Sequence, residues 1–235
     1  MINEAIERSY QLHEQLSRNS TPYQDPLARI NWQSLDQDLF WLPEKAISLY
    51  GLNEYQMIPK AQRRALSQYE FLNFIEASLW IECLFVERIS RNVRKIRHKQ
   101  AHHIYRIHKL REEVGHLLMF SEIMHRSGLV LPNTRFHHLQ IFKLLSRYAP
   151  FEGIAFWMAM LMGEEIPDRM NRYIRKNANG ICPAIYDMVS THIIEETRHI
   201  THARVTLEQQ FKYCSRLKKF NLQQLANYVF KLLIN

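Results

Sequence analysis

Residues 71–86, Phe-Leu-Asn-Phe-Ile-Glu-Ala-Ser-Leu-Trp-Ile-Glu-Cys-Leu-Phe-Val, form a stretch that is apolar on nearly every side of a helix. Such a helix must be packed all round, so it occupies the centre of whatever this chain folds into. Two acids interrupt it, Glu76 and Glu82. Just beyond, Val86, Ile89 and Val93 make an apolar stripe, while Glu87, Arg88, Arg91 and Arg94 make a wet one. Helical phase puts Glu82 in the middle of the inward stripe and Glu76 about 120° away. A carboxylate buried without a partner is costly enough to shift its pKa instead, so Glu82 calls for a cation.

The rest of the chain is suited to surrounding such a helix with others. Its 235 residues contain only six glycines and eight prolines. Alternating Val, Thr and aromatic runs between Gly turns, the mark of strands, are almost absent. The expected class is all-α, one domain over residues 1–235, with no linker long enough to divide it. Helices are predicted over residues 2–18, over a short segment carrying Phe40, Trp41 and Leu42, and from Pro59 to about Lys95. More follow from the turn at His98–Ala101 to about Ser127, over 134–149, 151–177, Pro183 to about Tyr213, and 221–233. Pro167 crowds the carbonyl of Gly163 and should kink or widen its helix.

The octet His192-Ile-Ile-Glu-Glu-Thr-Arg-His199 supplies candidate partners for Glu82. His192, Glu196 and His199 stand at i, i+4 and i+7, within about 60° of arc on one helix face. Glu113 and His116 form a second Glu-x-x-His pair inside an apolar helix, and Glu164 or Glu165 lies in the apolar stretch 151–177. One Glu from each of two helices and a Glu-x-x-His pair from each of two others is the set with which four-helix bundles hold a di-iron or di-manganese centre. Four carboxylates offset two divalent ions, and oxygen donors mixed with imidazole suit iron or manganese. Few inward-facing Lys or Arg are expected beside them. Glu112 and Glu195 point about 100° from the neighbouring ligand, as supporting or surface residues. His202 is read chiefly as packing, and His98, His102, His103, His108, His137 and His138 as solvated.

Charge and cysteine usage narrow the setting. The formal charge is +8, and between Arg88 and Arg111 nine Lys/Arg and four His occur with no acid. That run reads as a solvated helix–turn–helix tip, or alternatively as a docking surface for an acidic partner such as a carrier protein, nucleic acid or anionic membrane. Three separated cysteines, Cys83, Cys182 and Cys214, fit a reducing cytoplasm rather than a disulfide framework. The charged N-terminal segment is unlike a secretory signal, and no run of 18 apolar residues is present to span a membrane.

The arrangement Glu82 … Glu113-x-x-His116 … Glu165 … His192-x-x-x-Glu196-x-x-His199 resembles the p-aminobenzoate N-oxygenase family of ferritin-like di-iron oxygenases. A histidine four residues before the last Glu-x-x-His separates that family from plain ferritins, and His192 supplies it. The Gln-Arg segment at 62–64, Glu76 six before Glu82, and Pro183 nine before His192 also agree, and the spacing to His192 favours Glu165 over Glu164. The resemblance implies a ferritin-like bundle with added N- and C-terminal helices. It implies two iron ions, or manganese, held by Glu82, Glu113, His116, Glu165, His192, Glu196 and His199, with no separate catalytic acid or base. It also implies O2, an electron donor, a small or carrier-bound amine as substrate, and a homodimer. The same centre could serve C–H hydroxylation or desaturation, and a non-catalytic, ferroxidase-like iron protein is the other reading. Family members carry further C-terminal helices with an arginine that binds the substrate carboxylate, a segment expected to have no counterpart here. Phe74 stands where a pocket tyrosine is expected, and Ile75, Leu79, Trp157, Met158, Met160 and Met162 suggest an apolar cavity.

Overall fold

The computed structural model describes residues 2–93, 101–132, 147–148, 153–212 and 214–234. Its helices are α1 (Ile2–Asn19), α2 (Asn53–Met57), α3 (Lys60–Val93), α4 (Ala101–Ser127), α5 (Ile154–Lys176), α6 (Pro183–Lys212) and α7 (Arg216–Ile234). No strand occurs among the described residues, so the all-α expectation holds. The helix expected over 134–149 falls almost wholly outside them.

Local chemistry sets the ends. Gly128 stops α4 in the left-handed region at φ 62°, where a side chain would be strained. Pro183 opens α6 at a position that needs no backbone donor. Helix α5 passes through Pro167 without a break, although that residue offers no N–H to the carbonyl of Gly163.

Four long helices, α3 to α6, form the bundle, with α3 packed chiefly on α4 and α5 chiefly on α6. Helix α1 lies along α4 and reaches α6, and α7 rests on α5. Two apolar cores fill the bundle. One contains Trp41, Phe71, Leu72, Ile75, Phe120 and Ile185. The other contains Phe85, Ile89, Phe156, Trp157, Met160 and Ala203. Between the two cores each long helix turns buried polar side chains inward, and these meet in a single buried layer.

Phe40, Trp41 and Leu42 do not form the short helix expected of them. Phe40 makes an isolated parallel bridge with Ile181, accepting a 2.9 Å hydrogen bond from the N–H of Cys182. Trp41 is fully buried, with its N–H on Ser67 Oγ at 3.2 Å and its indole N–H on the carbonyl of Asp36 at 3.0 Å. Pro43 disfavours helix in the residue before it.

Candidate metal centre

The polar layer is built from Glu82 on α3, Glu113 and His116 on α4, Glu164 on α5, and His192, Glu196 and His199 on α6. All seven are buried; Glu113, His116 and His199 are 0% exposed. Donor atoms of Glu82, His116, His192 and Glu196 lie within 4.8 Å of one another, and so do those of Glu113, His116, Glu196 and His199. His116 and Glu196 belong to both groups. His116 Nδ1 stands 3.6 Å from Glu82 and 3.5 Å from Glu196. His192 Nε2 is 3.1 Å from Glu82, and His199 Nδ1 is 3.1 Å from Glu196.

Each imidazole is steered by a group on its far side. His116 Nε2 donates to Glu195 at 2.8 Å, and His199 Nε2 donates to Glu112 at 3.0 Å. Glu112 is anchored in turn by Arg198 at 2.8 Å. The side-chain amide of Asn171 lies 2.7 Å from His192 Nδ1. For His116 and His199 this is the support that metal-binding histidines use, since a ring that donates one N–H to a carboxylate presents its other nitrogen as a ligand, whereas the Asn171 amide N–H donates to His192 Nδ1. Glu112 and Glu195, each next in sequence to a ligand candidate, are therefore buried supporting residues and not surface ones.

The electrostatics show a layer short of positive charge. Burial alone would lower His199, yet Glu113, Glu196 and Glu112 raise it to about 10. His116 is likewise raised well above its ordinary value, its burial outweighed by Glu82, Glu113 and Glu195. Glu112 and Glu196 each fall to about 2 against their burial, the first through His199 and Arg198, the second through His199 and His192. Glu164 is pushed up to about 7, mainly by burial and by the neighbouring Glu196 and Glu113. Among the described residues, Glu82 Oε2, Glu164 Oε2, Glu196 Oε2 and His116 Nδ1 are buried with no hydrogen-bond partner. Inward carboxylate oxygens without partners, set beside imidazole nitrogens, are what a cation site requires, and this donor set fits two divalent ions.

Two expectations are corrected here. The inward acid on α5 is Glu164, while Glu165 turns outward and is held by Arg204 at 2.6 and 2.8 Å. Local packing accompanies this: a Cβ at Gly163 would come 2.7 Å from Phe85 Cζ, so α5 sits hard against α3 there, with Glu164 turned inward to Lys109. The second correction is Lys109, which is 0% exposed, with Nζ 2.7 Å from Glu113 Oε1 and in direct contact with Glu164. In sequence it belongs to the basic run 88–111, for which a solvated tip is expected. The signal was its place four residues before Glu113, one turn along the same face.

Other cations of that run are also used internally. Arg106 is buried beneath Trp157, and Arg111 binds the carbonyl of Ser20 and covers the ring of Tyr23. Residues 94–100, which carry further basic side chains, lie outside the described residues. His103 is buried rather than solvated, and His98, His137 and His138 also lie outside. His202 is wholly buried but joins a separate cluster. Its Nδ1 meets His13 Nε2 of α1 at 2.8 Å, and its ring packs edge-on against Tyr105 and Trp157.

A cavity of about 10 Å³ adjoins the layer, lined by Ser78, Glu82, Phe85, Gly163, Glu164 and Pro167 among others. That is room for about one water molecule. A larger, open groove of about 810 Å³ lies on the outer face of the same turn of α5, bordered by Phe74, Met162, Glu165, Ile166, Arg169 and Tyr173. Ile75, Trp157 and Met160 pack into the two cores and do not line the cavity beside the layer.

Fold and layer together make a helical bundle around a buried carboxylate–histidine cluster compatible with a dinuclear metal site. The chain belongs to the p-aminobenzoate N-oxygenase AurF family, whose model matches residues 4–235, and that family has a ferritin-like di-iron fold. Uncharacterized proteins of Mycobacterium bovis and of two strains of Mycobacterium tuberculosis are each 24% identical to it over 208 residues. Those alignments cover 86% of this chain and 60% of the relatives, so the chain spans less than two thirds of their length. No solved structure matches it. Among the described residues, no helix is long and apolar enough to cross a membrane.

Proposed function

We propose that this protein is an O2-dependent di-iron oxygenase that N-oxygenates an amine, with Glu82, Glu113, His116, Glu164, His192, Glu196 and His199 as the metal ligands. The observation that carries this reading is the convergence of three buried carboxylates, Glu82, Glu113 and Glu196, with three imidazoles, two of which donate from their far side to Glu195 and Glu112, while buried Glu164 lies beside them. Bound iron would supply the activation of O2 and the route for electrons from a donor. The chain's own residues supply a preset ligand geometry and, through the apolar cores on either side, the exclusion of water. The groove along Phe74, Met162 and Ile166 is the natural place for an amine to dock, with Glu165 and Arg169 at its rim to meet polar ends of a substrate.

The small size of the cavity beside the layer favours a second reading, an iron-binding, ferroxidase-like protein with no organic substrate. Stopped-flow mixing of the anaerobic, ferrous-loaded protein with O2 separates the two. N-oxygenation predicts a transient visible absorption whose decay is hastened by some amines, with hydroxylamine or nitro product found by mass spectrometry. Iron oxidation that ignores every amine and yields no such product would leave the ferroxidase reading.

A further inference from the structure

The two four-donor groups share His116 and Glu196 and differ in the rest: one adds Glu82 and His192, the other Glu113 and His199. They also differ in their cations. Among the described residues, the ion pairs of Glu82 are with His116 and His192, both through Oε1. Glu113, in contrast, is shared with the ammonium of Lys109, 2.7 Å away. The same ammonium lies against Glu164, the one inward carboxylate that belongs to neither group. Lys109 is fully buried, so its charge cannot be discounted as solvated.

Resting on the metal reading above, we propose that Lys109 occupies the second metal position in competition with the ion, so that the centre fills in two unequal steps. The charge count runs the same way. With all four inward carboxylates ionised, one divalent ion plus the ammonium leaves the layer one negative charge over. Two divalent ions plus the ammonium carry one charge more than those four carboxylates, and the second ion and the ammonium would face the same two of them, Glu113 and Glu164. The first ion goes to Glu82, His116, His192 and Glu196. The second must break the Lys109 contacts to Glu113 and Glu164 and make its own to those carboxylates, while the ammonium swings out of the gap on its four-carbon stem. Displacing a buried ammonium from two carboxylates, or leaving it beside the incoming ion, weakens that second step by about 100-fold or more on the scale of unit charges about 4 Å apart.

The test is metal binding, independent of any activity. The metal-free protein is titrated anaerobically with Fe²⁺, and separately with Mn²⁺, using equilibrium dialysis and elemental analysis, with EPR of the Mn²⁺ samples. Wild type should take one ion per chain tightly and a second about 100-fold or more weakly. At one equivalent the Mn²⁺ signal should be that of an isolated ion. Lys109→Met, which keeps length and removes charge, should bring the two affinities together, whereas Lys109→Arg should keep them apart. Equal binding of two ions by wild type overturns the proposal, and this arm needs no variant to fold. So does a Lys109→Met protein, confirmed folded by circular dichroism, that keeps the wild-type pair of affinities. Failure of wild type and Lys109→Met alike to bind any metal would instead remove the metal reading on which the proposal rests.

Discussion

The carboxylate–histidine layer and the His13–His202 cluster are both buried, both draw on α4 and α6, and lie about one turn apart along α6. They respond to burial in opposite ways. In the layer, acids outnumber their partners, so the pKa values of His116 and His199 are raised against their burial and Lys109 lies inside against Glu113. In the outer cluster the neighbours are cationic or neutral. His13 and His202 have their pKa values lowered, first by burial and then by charges such as Arg106, and they satisfy each other as neutral rings across 2.8 Å. His102, Tyr105 and Trp157 complete that surround with ring contacts and bring no carboxylate. The contrast shows what makes a buried polar cluster a cation site. Histidine content does not decide it; an excess of inward carboxylate oxygens does.

The largest break in this comparison should come from Glu196→Ala. Because Glu196 belongs to both donor groups, the variant should lose essentially all bound iron by elemental analysis, while His202→Gln should load as wild type does. Equal loss in both would abolish the distinction. A smaller effect is expected from Glu195→Ala, which frees His116 to turn. Loss of such a supporting partner should weaken metal binding by about 10- to 100-fold in competition with a chelating dye. Unchanged affinity would mean that the 2.8 Å contact to Glu195 does not orient the ring.

The smallest effect separates the clusters by pH. A histidine whose folded pKa lies below its unfolded value of about 6.5 takes up a proton more readily in the unfolded chain, so its contribution is complete above that pH and is lost as pH falls below it. His13 and His202 are of this kind. The raised His199 is of the opposite kind, contributing fully below about 6.5 and losing its contribution as pH climbs through about 10. The difference in Tm between wild type and His13→Gln should therefore shrink on going from pH 8 to pH 5. A difference that grows instead would place His13 among charged groups.

Much of the centre was legible because a helix repeats every 3.6 residues. That rule alone put His192, Glu196 and His199 on one face, paired Glu113 with His116, and chose Glu82 over Glu76. What was not legible depended on contacts between helices. The choice between Glu164 and Glu165 rested on a spacing to His192 that crosses the turn at residues 177–182, whereas the inward turn of Glu164 goes with the close packing of Gly163 on Phe85. Lys109 was hidden in a run of basic residues because a charge run in sequence does not say which members turn inward. The inward face was nonetheless marked by Glu113 one turn on. Phe40–Leu42 looked helical from its apolar density, but its partner in the bridge, Ile181, is far away in the chain.

Residue 163 works as a spacer whose thickness is a single hydrogen atom. A methyl group there would meet the ring of Phe85 and the side chain of Ile81, and where those side chains do not yield α5 must back away or rotate. Either movement carries Glu164 with it, since the two residues are neighbours on one rigid turn. The reach of the α5 carboxylate toward Lys109 and Glu82 is therefore governed by a position that has no donor atom of its own. Among related chains, a larger residue at this place would mark a centre whose fourth carboxylate stands farther off, or is supplied by the residue at 165.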